Sequence, residues 1–188
     1  MTTLDILGLC GSLRAGSYNR HALRLAGELM PETMRLDVVE WRELAFFDGD
    51  VFAQGMPAPV AQLRERVRRA DALLFATPEY NFSVPGGLKN VIDWLSRGDD
   101  QPLAMKPLAI LSAATGPLGG ARVQYDLRRI LQGLSAMPLL KPEVFISMAA
   151  TKFDAQGQCT DDNTRKFVGA QMKAFERWIA AVGRMREG

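Results

Sequence analysis

Two of the chemically richest residue types are nearly missing from this chain. It holds one histidine, His21, and two cysteines, Cys10 and Cys159. Without a Cys-x-x-Cys pair or a histidine-rich tract, a structural zinc site is not expected, and no metal is assigned. Two thiols so far apart in sequence suit a reducing compartment better than a disulfide framework. No apolar run approaches the roughly 20 residues that a membrane-spanning helix needs. The first residues lack a basic segment leading into a long apolar stretch, so no secretory signal is expected. Neither sign of charge dominates, with 23 Lys and Arg against 21 Asp and Glu. Basic residues are dispersed except for Arg64, Arg66, Arg68 and Arg69. That cluster reads as the solvated face of a helix rather than a nucleic-acid patch. These absences point to a cytoplasmic protein with neither membrane nor nucleic acid as its partner.

What remains is ordinary globular material. The chain has 188 residues, 47% hydrophobic and 23% charged, which suits a single domain over residues 1–188. Short apolar runs alternate with helical spacing. Strands are expected at 4–10, 36–41, 71–77, 108–114 and 143–147. Helices are expected at 17–30, 60–69, 86–96, 120–136 and 163–184, and a Gly- and Pro-rich loop at 48–59. Five βα units with continuously apolar strands imply an α/β fold: a five-stranded parallel sheet with helices on both faces. Strand order 2-1-3-4-5, a flavodoxin-like three-layer sandwich, follows from right-handed crossovers. Ligands of such sheets sit beyond the carboxyl ends of the strands, near the switch point between strands one and three. The segments after Cys10, Thr77 and Ala114 are therefore the places where function is expected.

Three loops occupy those places. The first runs Gly11-Ser12-Leu13-Arg14-Ala15-Gly16-Ser17-Tyr18-Asn19-Arg20. It leaves a strand and enters a helix, whose free N–H groups and positive dipole end suit a phosphate. It lacks the Gly-Lys-Ser/Thr of a P-loop and the Gly-x-Gly-x-x-Gly of a dinucleotide fold. By chemistry alone it is either a phosphate cradle or a polar turn with Ser17 as a helix N-cap. The second loop runs from Pro78, Glu79, Tyr80 and Asn81 through Pro85 to Lys89 and Asn90. Its prolines stiffen it and Tyr80 offers a flat surface. A binding edge for a heteroaromatic ring and a rigid turn with a buried tyrosine are equal readings. The third, around Ser112 and Gly116, is either a close approach for a ring or a plain glycine-rich turn.

The order Gly-Ser-Leu-Arg-x-Gly-Ser-x-Asn-Arg at 11–20 resembles the phosphate loop of the NADPH-dependent FMN reductase family. Pro-Glu-Tyr-Asn at 78–81, followed by Pro-Gly-x-Leu-Lys-Asn-x-Ile-Asp-Trp at 85–94, is similar to a second hallmark of that family. The resemblance implies FMN as cofactor, with its phosphate held by Gly11, Ser12, Arg14, Ser17, Asn19 and Arg20. It implies that Pro78, Glu79, Tyr80 and Asn81 line the isoalloxazine, with Ser112 and Gly116 beside it. Lys89, Asn90 and Asp93 are expected to organise the loop, and Trp94 to lie in the core or at a subunit contact. Arg122, Tyr125 and Glu143 resemble the chromate and quinone reductase branch, where such positions lie near subunit contacts and the cofactor mouth. An Arg122–Glu143 pair across an interface is expected on that basis.

The activity so implied is hydride transfer from NADPH or NADH to flavin N5, then electron transfer to a small acceptor, with ping-pong kinetics. Candidate acceptors are quinones, chromate, azo compounds and free flavin. No protein side chain is assigned as catalytic, because the cofactor carries the chemistry. A homodimer or homotetramer is implied by the same resemblance. Two rivals are a flavodoxin-type electron carrier without nicotinamide activity and a regulatory protein that keeps the fold without the flavin. The balance of charge counts against the first, and the intact loops against the second.

Overall fold

The computed structural model describes residues 3–187; residues 1, 2 and 188, included in the expected domain, lie outside it. The elements in chain order are β1 (Leu4–Cys10), α1 (Tyr18–Leu29), β2 (Met34–Val39), α2 (Gly49–Ala53), α3 (Ala58–Arg69) and β3 (Ala72–Thr77). They continue with α4 (Gly86–Leu95), β4 (Pro107–Ala113), α5 (Ala121–Gln132), β5 (Met137–Pro138), β6 (Val144–Ile146) and α6 (Asp162–Glu187). The sheet is parallel in the order β2-β1-β3-β4-β5, and β6 also pairs with β4.

Side chains alternate across the sheet and feed two cores. Ile6, Leu74, Ala76, Ala109 and Leu111 face α1 and α6, where Leu23, Met172 and Phe175 are fully enclosed. Leu7, Leu9, Leu73, Phe75, Leu108 and Ile110 face the opposite layer of α3, α4 and α5. Every residue of β3 and β4 is buried, which is why those segments read as unbroken apolar runs.

Three features depart from expectation. The fifth strand is split. Its first part pairs Met137 and Pro138 with Pro107 and Leu108, and its second pairs Val144 to Ile146 with Leu111 to Ala113. Between them the chain leaves the ladder, and two buried glutamines supply donors in its place. Gln171 Nε2 donates to Ile110 O at 3.0 Å and to Pro142 O at 3.0 Å. Gln124 Nε2 donates to Val144 O at 2.7 Å and to Ser112 Oγ at 2.9 Å. Next, the loop at 48–59 contains the short helix α2, started by Asp48, whose side chain accepts from Asp50 N at 2.8 Å. Finally, Arg64 does not belong to a solvated face. It is 3% exposed and donates to the carbonyls of Leu95 (2.6 Å) and Asp100 (2.8 Å), closing the carboxyl end of α4.

Lys106, at the foot of β4, is also buried. Its Nζ donates to Ala70 O at 2.5 Å and Arg68 O at 3.2 Å, at the end of α3. Burial pushes the ammonium down from 10.5 to about 8. The unfolded chain therefore binds more protons than the folded one between about pH 8 and pH 10.5. This group's contribution to stability must rise with pH across that window, by roughly 3 kcal/mol in total. Urea unfolding at pH 7.5 and pH 10 should show the rise as a difference between wild type and Lys106→Met. Parallel pH dependences in the two proteins would mean that the amine is not so perturbed.

Candidate functional site

The carboxyl ends of β1, β3 and β4 converge on one cleft. The chain after β1 first extends the ladder, with Gly11 N donating to Ala76 O at 2.7 Å. A Cβ on Gly11 would lie 2.4 Å from Thr77 Oγ1, so only glycine lets β1 and β3 close there. Gly11 is thus a packing residue. Ser17 then caps α1, its hydroxyl accepting from Asn19 N at 3.2 Å. Asn19 is 2% exposed and reaches across to the end of β4. Its Nδ2 donates to Ala113 O at 2.9 Å and its Oδ1 accepts from Ala113 N at 2.8 Å. This two-bond clasp fixes where α1 begins relative to the sheet.

A cleft of about 250 Å³ opens over these strand ends, bordered by Ser12, Arg14, Ser17, Tyr18, Pro78, Tyr80 and Thr115. The Ser12 hydroxyl lies 3.5 Å from the Tyr80 hydroxyl, so the first two loops meet at its edge. Arg14 stands 5.9 Å from the Tyr18 ring centroid. Among the described residues, the backbone N–H groups of Leu13, Ala15, Gly16 and Tyr18 find no acceptor. Those of Glu79, Asn81 and Phe82 in the second loop find none either. Unpaired amides at a helix N-terminus, with two serine hydroxyls and a guanidinium, make a cradle for an anion. The site therefore fits a phosphate-bearing ligand with a flat ring.

Larger clefts exist elsewhere. One of about 630 Å³ lies between β1, β2 and α3. Four of its five charged side chains are paired with one another, Arg35 with Asp5 at 2.7 Å and Arg66 with Asp37 at 2.6 Å, while Arg69 makes no ion pair among the described residues. That cleft lies away from the carboxyl ends of the strands, where ligands of such sheets bind, so the smaller cleft is the candidate site.

The structure brings Ser12, Arg14, Ser17, Asn19, Pro78, Glu79 and Tyr80 to one cleft, but several side chains do other work than expected. Both polar atoms of the Asn19 amide are committed to Ala113. Arg20 is turned to Glu40 at 2.6 Å, which holds the Glu40 carboxyl below its usual range. Ser112 is fully buried, donating to Gly119 O at 2.7 Å, and cannot face a ligand. Gly116 has open space where a Cβ would stand. Glu79 borders the cleft, but its carboxylate is taken by α5, where Arg122 Nε donates at 2.6 Å and Val123 N at 3.3 Å. Within this chain Arg122 is paired to Glu79, and Glu143 to Lys141. Burial raises the Glu143 carboxyl, but the Lys141 hydrogen bond and the positive charges of Lys141 and Arg128 help to leave the group lowered overall.

The helical half of the second motif does organise structure. Asn90 and Trp94 both donate to Ala45 O, at 2.9 and 2.8 Å, and Asn90 accepts from Phe47 N. Trp94 is wholly buried core. Residues 40–42 escaped sequence reasoning. Trp41 Nε1 donates to Cys10 O at 2.9 Å, Arg42 bonds Leu13 O, and the Trp41 ring fills the space beside Gly87. The available signal was the indole at the end of the second strand. Cys10 is buried, and burial pushes its thiol up. Burial lowers His21, which packs against Tyr18 and Phe153.

The model of the NADPH-dependent FMN reductase family matches residues 4–151. An NAD(P)H-dependent FMN reductase of Pseudomonas aeruginosa is 48% identical over 176 residues, spanning 94% of this chain and 95% of the relative. A quinone reductase of Escherichia coli is 43% identical over 182 residues, 95% and 97% of the two chains. Among solved structures, the flavoenzyme NAD(P)H:(acceptor) oxidoreductase FerB of Paracoccus denitrificans superposes with a TM-score of 0.87 at 31% identity. That match covers 95% of this chain and 98% of the other.

Proposed function

This chain belongs to the NADPH-dependent FMN reductase family, and from that premise we propose that it is an FMN-dependent NAD(P)H oxidoreductase serving quinones or other small acceptors. The observation that carries the reading is the set of unpaired amides around the cleft. The N–H groups of residues 13, 15, 16 and 18, with the hydroxyls of Ser12 and Ser17, would hold the phosphate. Arg14 adds charge at the rim. Pro78, Tyr80 and the chain at 114–116 would receive the ring, and the amides of Glu79, Asn81 and Phe82 could meet its polar edge. FMN bound there supplies the centre that takes hydride from reduced nicotinamide and returns electrons to the acceptor.

The protein's own part is to bind, orient and keep the frame rigid. Asn19, Arg20 and Trp41 act on that frame. No side chain at the cleft need move a proton: Cys10 is buried as a thiol, and His21 packs behind the loop. If nicotinamide and acceptor occupied this one cleft in turn, ping-pong kinetics would follow.

We read the chain as one domain acting in the cytoplasm as a homodimer or homotetramer. Large apolar side chains left exposed on α5 and the nearby loops, including Leu118, Tyr125 and Met148, support assembly. No described helix is long and apolar enough to cross a membrane.

The deciding experiment is a visible spectrum after FMN addition and desalting, followed by NADPH without oxygen. Retained flavin bands that bleach are expected, with turnover on a soluble quinone. Bands that persist with both NADPH and NADH would favour an electron carrier. Loss of the flavin on desalting would remove the cofactor from the proposal.

A further inference from the structure

The second loop is held in a conformation that its sequence does not favour. Tyr80 and Ser83 exchange backbone hydrogen bonds of 3.1 and 3.0 Å, closing a two-residue hairpin. Asn81 and Phe82 between them have φ of 49° and 70°. Consecutive positive φ values are those of a type I′ turn, which prefers glycine at the second position. Asparagine tolerates this region, but phenylalanine does so at a cost. Something outside the turn must hold it.

That support comes from α5. The Glu79 side chain is 8% exposed and fixed by Arg122 and by Val123 N, so its carboxylate also sits at the helix N-terminus. The Arg122 guanidinium lies 3.8 Å from the centroid of the Phe82 ring. On the other flank, Ser83 Oγ donates to Asp126 Oδ2 at 2.6 Å. Thus one helix face grips Glu79, Phe82 and Ser83, three of the five residues from 79 to 83. None of these contacts reaches into the cleft, yet together they fix Tyr80 and the unpaired amides of Asn81 and Phe82 beside it.

We propose that Glu79, Arg122, Ser83 and Asp126 form a clasp that holds the strained turn in its binding-competent form, and that the clasp sets affinity for the ring of the cofactor. These are positioning residues. The inference rests on the flavin reading above. It assigns Glu79 an indirect role through α5 in place of the ring contact that the family resemblance implies.

If the clasp is cut, the turn relaxes to commoner backbone conformations. The competent fraction then falls, and apparent affinity falls with it. Glu79→Ala should weaken binding of FMN and of riboflavin by the same factor, about ten- to a hundredfold. Equal factors follow because the clasp acts on the ring end. Arg14→Ala, at the phosphate end, should weaken FMN alone. Glu79→Gln keeps an oxygen to accept from Arg122 and Val123, and should restore affinity to within about threefold. Ser83→Ala, at the exposed flank, gives a milder loss and serves if Glu79→Ala fails to fold.

The companion measurement is amide hydrogen exchange of residues 79–84, with and without FMN. Faster exchange there in Glu79→Ala or Ser83→Ala, with the sheet unaffected, is the expected result. Wild-type exchange in those variants, or unchanged riboflavin affinity, overturns the clasp. Failure of the wild-type protein to bind FMN would instead overturn the flavin reading, and exchange alone would then judge whether α5 holds the turn.

Discussion

Asn19→Ala is expected to lower stability by roughly 2–5 kcal/mol and to release most bound flavin. The side chain makes two hydrogen bonds to one buried residue, Ala113, at the end of β4. Truncation leaves an N–H and a C=O without partners in a place water does not reach, at about 1–3 kcal/mol each. For a chain of this length the midpoint of thermal unfolding should fall by roughly 5–15 °C. The functional effect follows from the same bonds. The clasp sets the start of α1 against the sheet, and the unpaired amides of residues 13, 15, 16 and 18, proposed above to hold the phosphate, hang from that start. Asn19→Asp isolates the chemistry from the shape: it keeps the size, but sets a carboxylate against the Ala113 carbonyl and should do no better. Urea unfolding and flavin retention are the readouts. An Asn19→Ala protein within about 0.5 kcal/mol of wild type would mean that the start of α1 is held by something else.

Arg64→Met should cost about 2–4 kcal/mol with no direct effect on the cleft. The guanidinium is almost wholly enclosed and satisfies carbonyls of Leu95 and Asp100 beyond the end of α4. Methionine matches its length but donates nothing, so the Leu95 carbonyl is left buried and unpaired and the contacts to Asp100 are lost. The comparison that gives the result meaning is Arg66→Met. Arg66 lies two residues away and pairs with Asp37, but both groups are substantially exposed. Its loss should fall within about 1 kcal/mol. Equal effects in the two variants would mean that burial does not separate them. The four arginines look alike in the sequence, and only the path of the chain after α4 tells them apart.

That case illustrates what the sequence makes legible. The strands of the sheet centre were readable because β3 and β4 are apolar on both faces, a pattern that depends only on local composition. The same was true of the capping role of Ser17, which needs neighbours only two residues away. Convergence of the loops after β1, β3 and β4 followed from topology. The split of the fifth strand was not legible, since it depends on Gln124 and Gln171 arriving from two different helices. Nor was the partner of Glu79. A glutamate beside a suspected ring site reads as a lining residue, and its turn toward Arg122, 43 positions away, belongs to the packing of α5. Asn19 was read as a ligand donor for the same reason. Its type fits both jobs, and only its distance to Ala113 separates them.

The broken margin of the sheet bears on how the molecule behaves in a crowded solution. A long, straight outer strand is a template on which another chain can add hydrogen bonds, and growth of that kind ends in fibrils. Here the outermost positions beside β4 are a two-residue and a three-residue segment with chain looping out between them. Glutamine side-chain amides occupy carbonyl acceptors there. At the opposite margin, β2 carries Arg35 and Asp37, both in ion pairs. Neither side offers an uninterrupted apolar row. A protein that leaves several large apolar side chains on its surface can thus meet other copies of itself through those side chains, without its backbone seeding an unlimited sheet.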